Sequence, residues 1–196
     1  TTPRAAMLLG SARSGTTWVQ DVLAQANGRR TIFEPLNPEG DPRAKPFAHV
    51  YLNANDEAPV LAELLGEAVS GRGLRLWWDL RVSPPHVFRW QSPKGYAAQA
   101  LYTFRGLTRY RRERGQATLT KLIRGNLLGG WLTHQMDARV ALVLRHPCAV
   151  VASQLRVDPS SWHDHHKLLR SYLGHERLVD EYLAPHHDFL ASVRDA

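Results

Sequence analysis

Gly10-Ser11-Ala12-Arg13-Ser14-Gly15-Thr16-Thr17-Trp18 joins two segments of different periodicity. Ahead of it, Ala5-Ala6-Met7-Leu8-Leu9 is a short unbroken apolar run, the pattern of a strand buried on both faces. Behind it, Trp18, Val19, Val22, Leu23 and Ala26 recur at helical spacing, which predicts a helix beginning near Thr16 or Thr17. A strand, a glycine-bounded turn and a helix point backbone N–H groups and a positive helix end at an anion, phosphate above all. Taken alone, the same residues also fit a plain Gly/Ser turn with no ligand.

The spacing Gly10-x-x-x-x-Gly15-x-Thr17 is that of a nucleotide phosphate loop, with one departure. Thr16 stands where that pattern has lysine, and the cation of the loop is Arg13. A nucleoside triphosphatase without the lysine lacks its main contact to the β- and γ-phosphates. The loop therefore reads as built for an anion other than a magnesium-bound triphosphate.

A chain of 196 residues, 43% hydrophobic, is long enough for one compact α/β domain with a real core. It holds no run of about 18 apolar residues, so no transmembrane segment is expected. The residues at its start show no basic-then-apolar secretory signal. The one cysteine, Cys148, excludes an internal disulfide and fits a reducing, cytoplasmic setting. It reads as a small packed side chain in the first turn of a helix rather than a nucleophile. The formal net charge of +7 signals an anionic partner. Cations concentrate in 105–114, a solvated helix face by pattern; no nucleic-acid fold signature accompanies them, so nucleic acid is not the expected partner.

Gly28 with Arg29-Arg30 ends the first helix, and Thr31-Ile32-Phe33 predicts a second strand running into Glu34-Pro35. A residue before proline favours an extended backbone, so Glu34 is expected extended at a strand end, a platform for a directed carboxylate. Pairing with a neighbouring arginine is the plainer alternative. Residues 37–46 read as a surface loop, and Asp56 as the start of a helix through Leu61, Leu64, Leu65 and Val69, stopped at Gly71 and Gly73. From there to about Tyr110 the chain reads as irregular, broken by Pro84, Pro85 and Pro93. Its rings (Trp77, Trp78, Phe88, Trp90, Tyr96, Tyr102, Phe104) fit core packing, with some left to line an acceptor pocket.

Ala117–Ile123 predicts a strand carrying Lys121, 126–136 a helix, and Val140–Leu144 the clearest strand of the chain. Pro147 suits the first turn of a helix over Cys148–Leu155. A turn at Asp158-Pro159-Ser160-Ser161 leads into helix from Trp162, broken around Pro185. The expected fold is α/β, a parallel sheet with helices on its faces. Ligands bind such sheets beyond the carboxyl ends of the strands, where Arg13, Glu34, Lys121 and Arg145 all fall.

Arg145-x-Pro147-x-x-x-x-x-Ser153 sets a bidentate-capable cation at a strand end and a hydroxyl two turns into the next helix. With the first loop, that makes two phosphate grips on one sheet edge, as a nucleoside phosphorylated at both ends needs. At this point the chain resembles the sulfotransferase superfamily. Arg13-Ser14-Gly15-Thr16-Thr17-Trp18 looks like its 5′-phosphosulfate loop, and Arg145-x-Pro147-x5-Ser153 like its 3′-phosphate motif. Phe33-Glu34-Pro35-Leu36 is similar to the strand-end glutamate segment of carbohydrate sulfotransferases and their bacterial relatives, and Lys121-Leu122-Ile123-Arg124 to the Lys-x-x-Arg strand before the 3′-phosphate motif.

The resemblance spans roughly 5–37 and 117–156. It implies a P-loop-like three-layer domain over 1–196 that uses 3′-phosphoadenosine 5′-phosphosulfate (PAPS), with 38–116 as an acceptor-side insertion. It gives the 5′-phosphosulfate to Arg13 through Thr17 with Trp18 beside them, the 3′-phosphate to Arg145 and Ser153, the base role to Glu34, and leaving-group stabilisation to Arg13 and Lys121. The implied acceptor is a hydroxyl of a small molecule, glycan or glycolipid. The glycine-rich basic segment that many members place near the C-terminus is not found before Ala196, which fits a truncated end, omitted stretches or a site closed differently.

A P-loop nucleotide kinase or hydrolase, and a non-catalytic nucleotide- or glycan-binding module, are the rival readings. The histidines of 163–166 and His186-His187 lack a second ligand group at fixed spacing, so no metal is expected.

Overall fold

A computed structural model describes residues 5–70, 93–113, 115–156 and 172–194. Strands β1 (Ala6–Gly10), β2 (Arg30–Phe33), β3 (Thr118–Leu122) and β4 (Arg139–Val143) form a parallel sheet in the order β2-β3-β1-β4. Phe33 pairs with Lys121, Lys121 with Leu8, and Leu8 with Ala141, so these four make one row across the sheet. The helices are α1 (Thr16–Ala26), α2 (Pro59–Ser70), α3 (Pro93–Glu113), α4 (Gly129–Gln135) and α5 (Pro147–Leu155). A final helical run from Glu176 ends in α6 (His187–Arg194).

The strand order dictates which face each helix covers. The step from β1 to β2 runs one way along the sheet, and the steps from β2 to β3 and β3 to β4 run the other. Right-handed crossovers then put their helices on opposite faces. The packing agrees. Met7, Leu9, Ile32 and Leu122 meet Leu61, Leu64 and Leu65 of α2 and Trp131 and Leu132 of α4 on one face. Leu8 and Leu119 meet Ala24 and Val19 of α1 on the other. Alternate residues of β1 thus serve two cores, as the period of a strand requires.

The structure adds to some sequence expectations and corrects others. The buried face of α1 is Thr16, Gln20 and Ala24, whereas Trp18 is 71% exposed and Val22 is exposed too. Gln20 can be buried because its Nε2 donates to the carbonyls of Ile32 and Leu119, at 2.9 and 2.8 Å, bonding to β2 and β3 at once. Asp56 does not begin α2, which starts at Pro59; its carboxylate accepts the N–H of Asn53, and its carbonyl accepts Trp131 Nε1.

The supposedly irregular stretch contains a 21-residue helix, α3, because Pro93 sits at its first position, where its missing N–H costs nothing. Phe104 on that helix is exposed. Trp77, Trp78, Phe88, Trp90 and the predicted turn and helix start at 158–162 lie outside the described residues. β4 is an edge of the sheet among the described residues, with Leu142 and, just beyond it, Leu144 exposed. Cys148 is exposed, not packed.

Candidate functional site

β1 ends at Gly10, where the chain must turn sharply under its own helix. A Cβ there would meet Thr16 Cγ2 at 2.6 Å and the Val143 carbonyl oxygen at 3.0 Å, so only glycine passes. The loop closes through Ser14, whose N–H and hydroxyl both donate to the Ser11 carbonyl, at 3.1 and 2.7 Å. Arg13 and Gly15 have positive φ, 70° and 92°. Gly15 then opens α1 with no side-chain cap, which leaves the first amides of the helix without intrahelical partners and aimed at the loop mouth.

The left-handed turn at Arg13 sends its side chain towards α5. Arg13 Nε donates to Ser153 Oγ at 3.1 Å, and Arg145 Nη1 donates back to the Arg13 carbonyl at 3.0 Å. The two motifs read as separate phosphate grips are therefore in direct contact at one end of the sheet. Among the described residues neither guanidinium has a carboxylate partner, so both charges remain available to an anion.

A second network lies beside the loop, under cover. Lys121, on the α1 face of β3, donates from Nζ to Thr17 Oγ1 at 2.9 Å, approaches Glu34 Oε1 at 3.4 Å and stands 4.0 Å above the Phe33 ring. Glu34 accepts the Ile123 N–H on both oxygens, at 3.2 and 3.1 Å, and forms a longer ion pair with Arg124 Nη1, 3.7 Å from Oε2. Lys121 and Glu34 are 3% and 1% exposed. Burial pushes the Glu34 carboxyl above its ordinary value, while Lys121, the Ile123 N–H and Arg124 pull it back.

The expectation of an extended Glu34 fails, since its φ is 49°. Tertiary bonds override the pre-proline preference: its N–H donates to the Lys121 carbonyl, its carbonyl accepts from Asn37, and its carboxylate is pinned to β3.

Arg13, Arg145 and Ser153 are thus brought together at the loop, Ser14 and Thr16 are buried within it, and Lys121 and Glu34 join it through Thr17. Trp18 projects from the exposed face of α1, one residue past the mouth. Asn126 escaped the sequence reading: its Oδ1 accepts the Gly10 N–H at 2.9 Å. Its position just past Lys-x-x-Arg was the available signal, and only the pairing of β3 with β1 gives that position meaning. Among the described residues no group of three or more His, Cys, Asp or Glu is placed to hold a metal; the histidines of 163–166 lie outside them. No described helix is long and apolar enough to cross a membrane. Comparison of the chain with known protein families, with curated proteins and with solved structures gives no match.

Proposed function

We propose that this chain is a P-loop-like sulfotransferase that moves a sulfuryl group from PAPS to a hydroxyl of a small molecule, glycan or glycolipid. The observation that carries the reading is the contact of Arg13 with both Arg145 and Ser153, which joins two anion grips at one sheet end. The donor set fits a doubly phosphorylated nucleotide: two guanidiniums without carboxylate partners among the described residues, the Thr17 hydroxyl, and helix amides at the start of α1 without intrahelical partners. On this reading Arg13 to Thr17 hold the 5′ end, Arg145 and Ser153 hold the 3′-phosphate, and Trp18 offers its exposed ring beside them. When bound, PAPS supplies an activated sulfuryl group on a bisphosphate leaving group.

The protein's part is positioning and charge. Arg13 and the start of α1 meet the negative charge that builds on the leaving oxygen. Lys121 adds to that field through Thr17, whose hydroxyl it fixes. Glu34 is the assigned base for the acceptor hydroxyl. Both of its oxygens are already engaged, so an acceptor reaches it by displacing Arg124, the longest and most exposed of the contacts it makes among the described residues.

A specific observation favours a second role for the same carboxylate. Its 1% exposure and its hold on Lys121 make it a positioning residue that keeps the ammonium against Thr17. A kinase or hydrolase reading has less support, because Thr16 replaces the lysine that grips a triphosphate.

A thermal-shift comparison tests the cofactor class. Adenosine 3′,5′-bisphosphate is expected to raise the melting temperature and magnesium-ATP to leave it unchanged, since a ligand stabilises the fold that binds it. The reverse result would install the kinase reading. A rise with the bisphosphate but no transfer to any acceptor in a broad screen would leave a binding module.

A further inference from the structure

We infer that Asn126 is a further anion-contacting residue of the loop, with one end of its carboxamide holding Gly10 and the other free to donate to the bound anion. The inference deepens the proposed function and rests on the loop being an anion site. Its geometry starts from the sheet. β1 and β3 are neighbours, yet the connections that leave their carboxyl ends depart to opposite faces, which opens a crevice between them. Gly10 closes β1 on one side of that crevice, and Asn126 follows β3 on the other.

The Gly10 N–H donates to Asn126 Oδ1 at 2.9 Å. A backbone amide can only donate there, so the bond itself fixes which way the carboxamide points: Oδ1 is taken and Nδ2 is left with two N–H donors. Among the described residues Nδ2 has no partner. Asn126 is itself half-buried rather than sealed in the core. The size of a carboxamide keeps it within ~5 Å of the Gly10 nitrogen. A neutral, donor-only group without a partner among the described residues therefore sits at the first residue of the loop whose other members are Arg13 and the start of α1. An anion in the loop finds there a hydrogen bond to one of its oxygens.

Asn126→Asp separates the two jobs. The carboxylate still accepts the Gly10 N–H, so the fold and melting temperature are expected to be kept, while the donor becomes a negative oxygen facing the anion. Binding of pyrophosphate and of adenosine 3′,5′-bisphosphate would be measured by calorimetry, metal-free, at about 0.15 M and about 0.5 M salt. The expected loss is at least about tenfold at both salts, because a contact survives screening that removes a distant repulsion. Affinity within about threefold of the parent at the higher salt overturns the inference. Should Asn126→Asp fail to fold, the Asn126 side-chain amide protons of the 15N-labelled parent, assigned by their loss in Asn126→Ala, are expected to exchange more slowly with water once pyrophosphate is bound; unchanged exchange overturns the inference. If the parent binds pyrophosphate but not the bisphosphate, the sulfotransferase reading falls while the variants still decide the role of Asn126. A parent that binds neither anion overturns both.

Discussion

Arg145 Nη1 donates to the carbonyl oxygen of Arg13 at 3.0 Å, joining residues 132 apart in the chain. The bond holds the loop after β1 against the segment that leads from β4 into α5. It also steadies a residue with φ of 70°, a conformation that a side chain other than glycine adopts at some cost. Arg145 is exposed, and this is the hydrogen bond its guanidinium makes among the described residues.

Arg145→Ala removes both that brace and a charged donor. The expected result is a loss of about 1–3 kcal/mol in affinity for adenosine 3′,5′-bisphosphate, read by calorimetry. Unchanged affinity would take Arg145 out of the proposed site.

Glu34→Gln is expected to abolish sulfuryl transfer while leaving bisphosphate binding largely intact. The carboxyl is held above its ordinary 4.5, mainly by burial, and a base must be ionised to work. The acid limb of the rate against pH is therefore expected above pH 4.5. Stability follows the same shift with a definite sign. A raised carboxyl favours the fold below pH 4.5, and that contribution is lost as pH rises through the folded value. The Gln variant should lack this dependence, a comparison open to urea melts across the acid range. Full turnover by Glu34→Gln would remove it from the chemistry.

His49 gives a pH effect of opposite sign. Burial, helped by Arg124, holds its imidazole below the ordinary 6.5. Its contribution to stability is thus present above pH 6.5 and lost as pH falls through the folded value. The residue has φ of 65°, its N–H donates to the Arg124 carbonyl, and its own carbonyl accepts His175 Nε2. Asn tolerates that backbone, so His49→Asn should fold and flatten the fall in stability between pH 7 and pH 5. An identical pH profile in the variant would show that other groups carry the effect.

Gly10→Ala is expected to destabilise the protein by about 1–3 kcal/mol, because the new methyl overlaps Thr16 Cγ2 and crowds Ser14 and Val143. Relief by moving α1 would also open the loop, so anion affinity should fall together with the urea midpoint. A variant as stable as the parent would mean that the turn has more room than its contacts indicate.

Local pattern alone made much of this legible. Unbroken apolar runs marked β1 and β4, the glycines bounded the turn, and the spacing of Arg13, Lys121, Arg145 and Ser153 placed them beyond or near strand ends. Such features depend only on the period of an element and on backbone sterics, which neighbouring residues carry.

What sequence could not supply was anything that depends on strand order. The apolar repeat of Trp18, Val19, Val22, Leu23 and Ala26 marked α1 as a helix but not its inner face, where Gln20 lies because β2 and β3 present two carbonyls for it to bond. Glu34 takes a left-handed turn because β3 offers Ile123 and Lys121 as partners, and no residue near it in sequence could announce that. Asn126 meets Gly10 across 116 positions only because β3 lies beside β1. Periodicity is written along the chain, whereas these bonds form between segments whose adjacency is settled when the whole sheet closes its two cores.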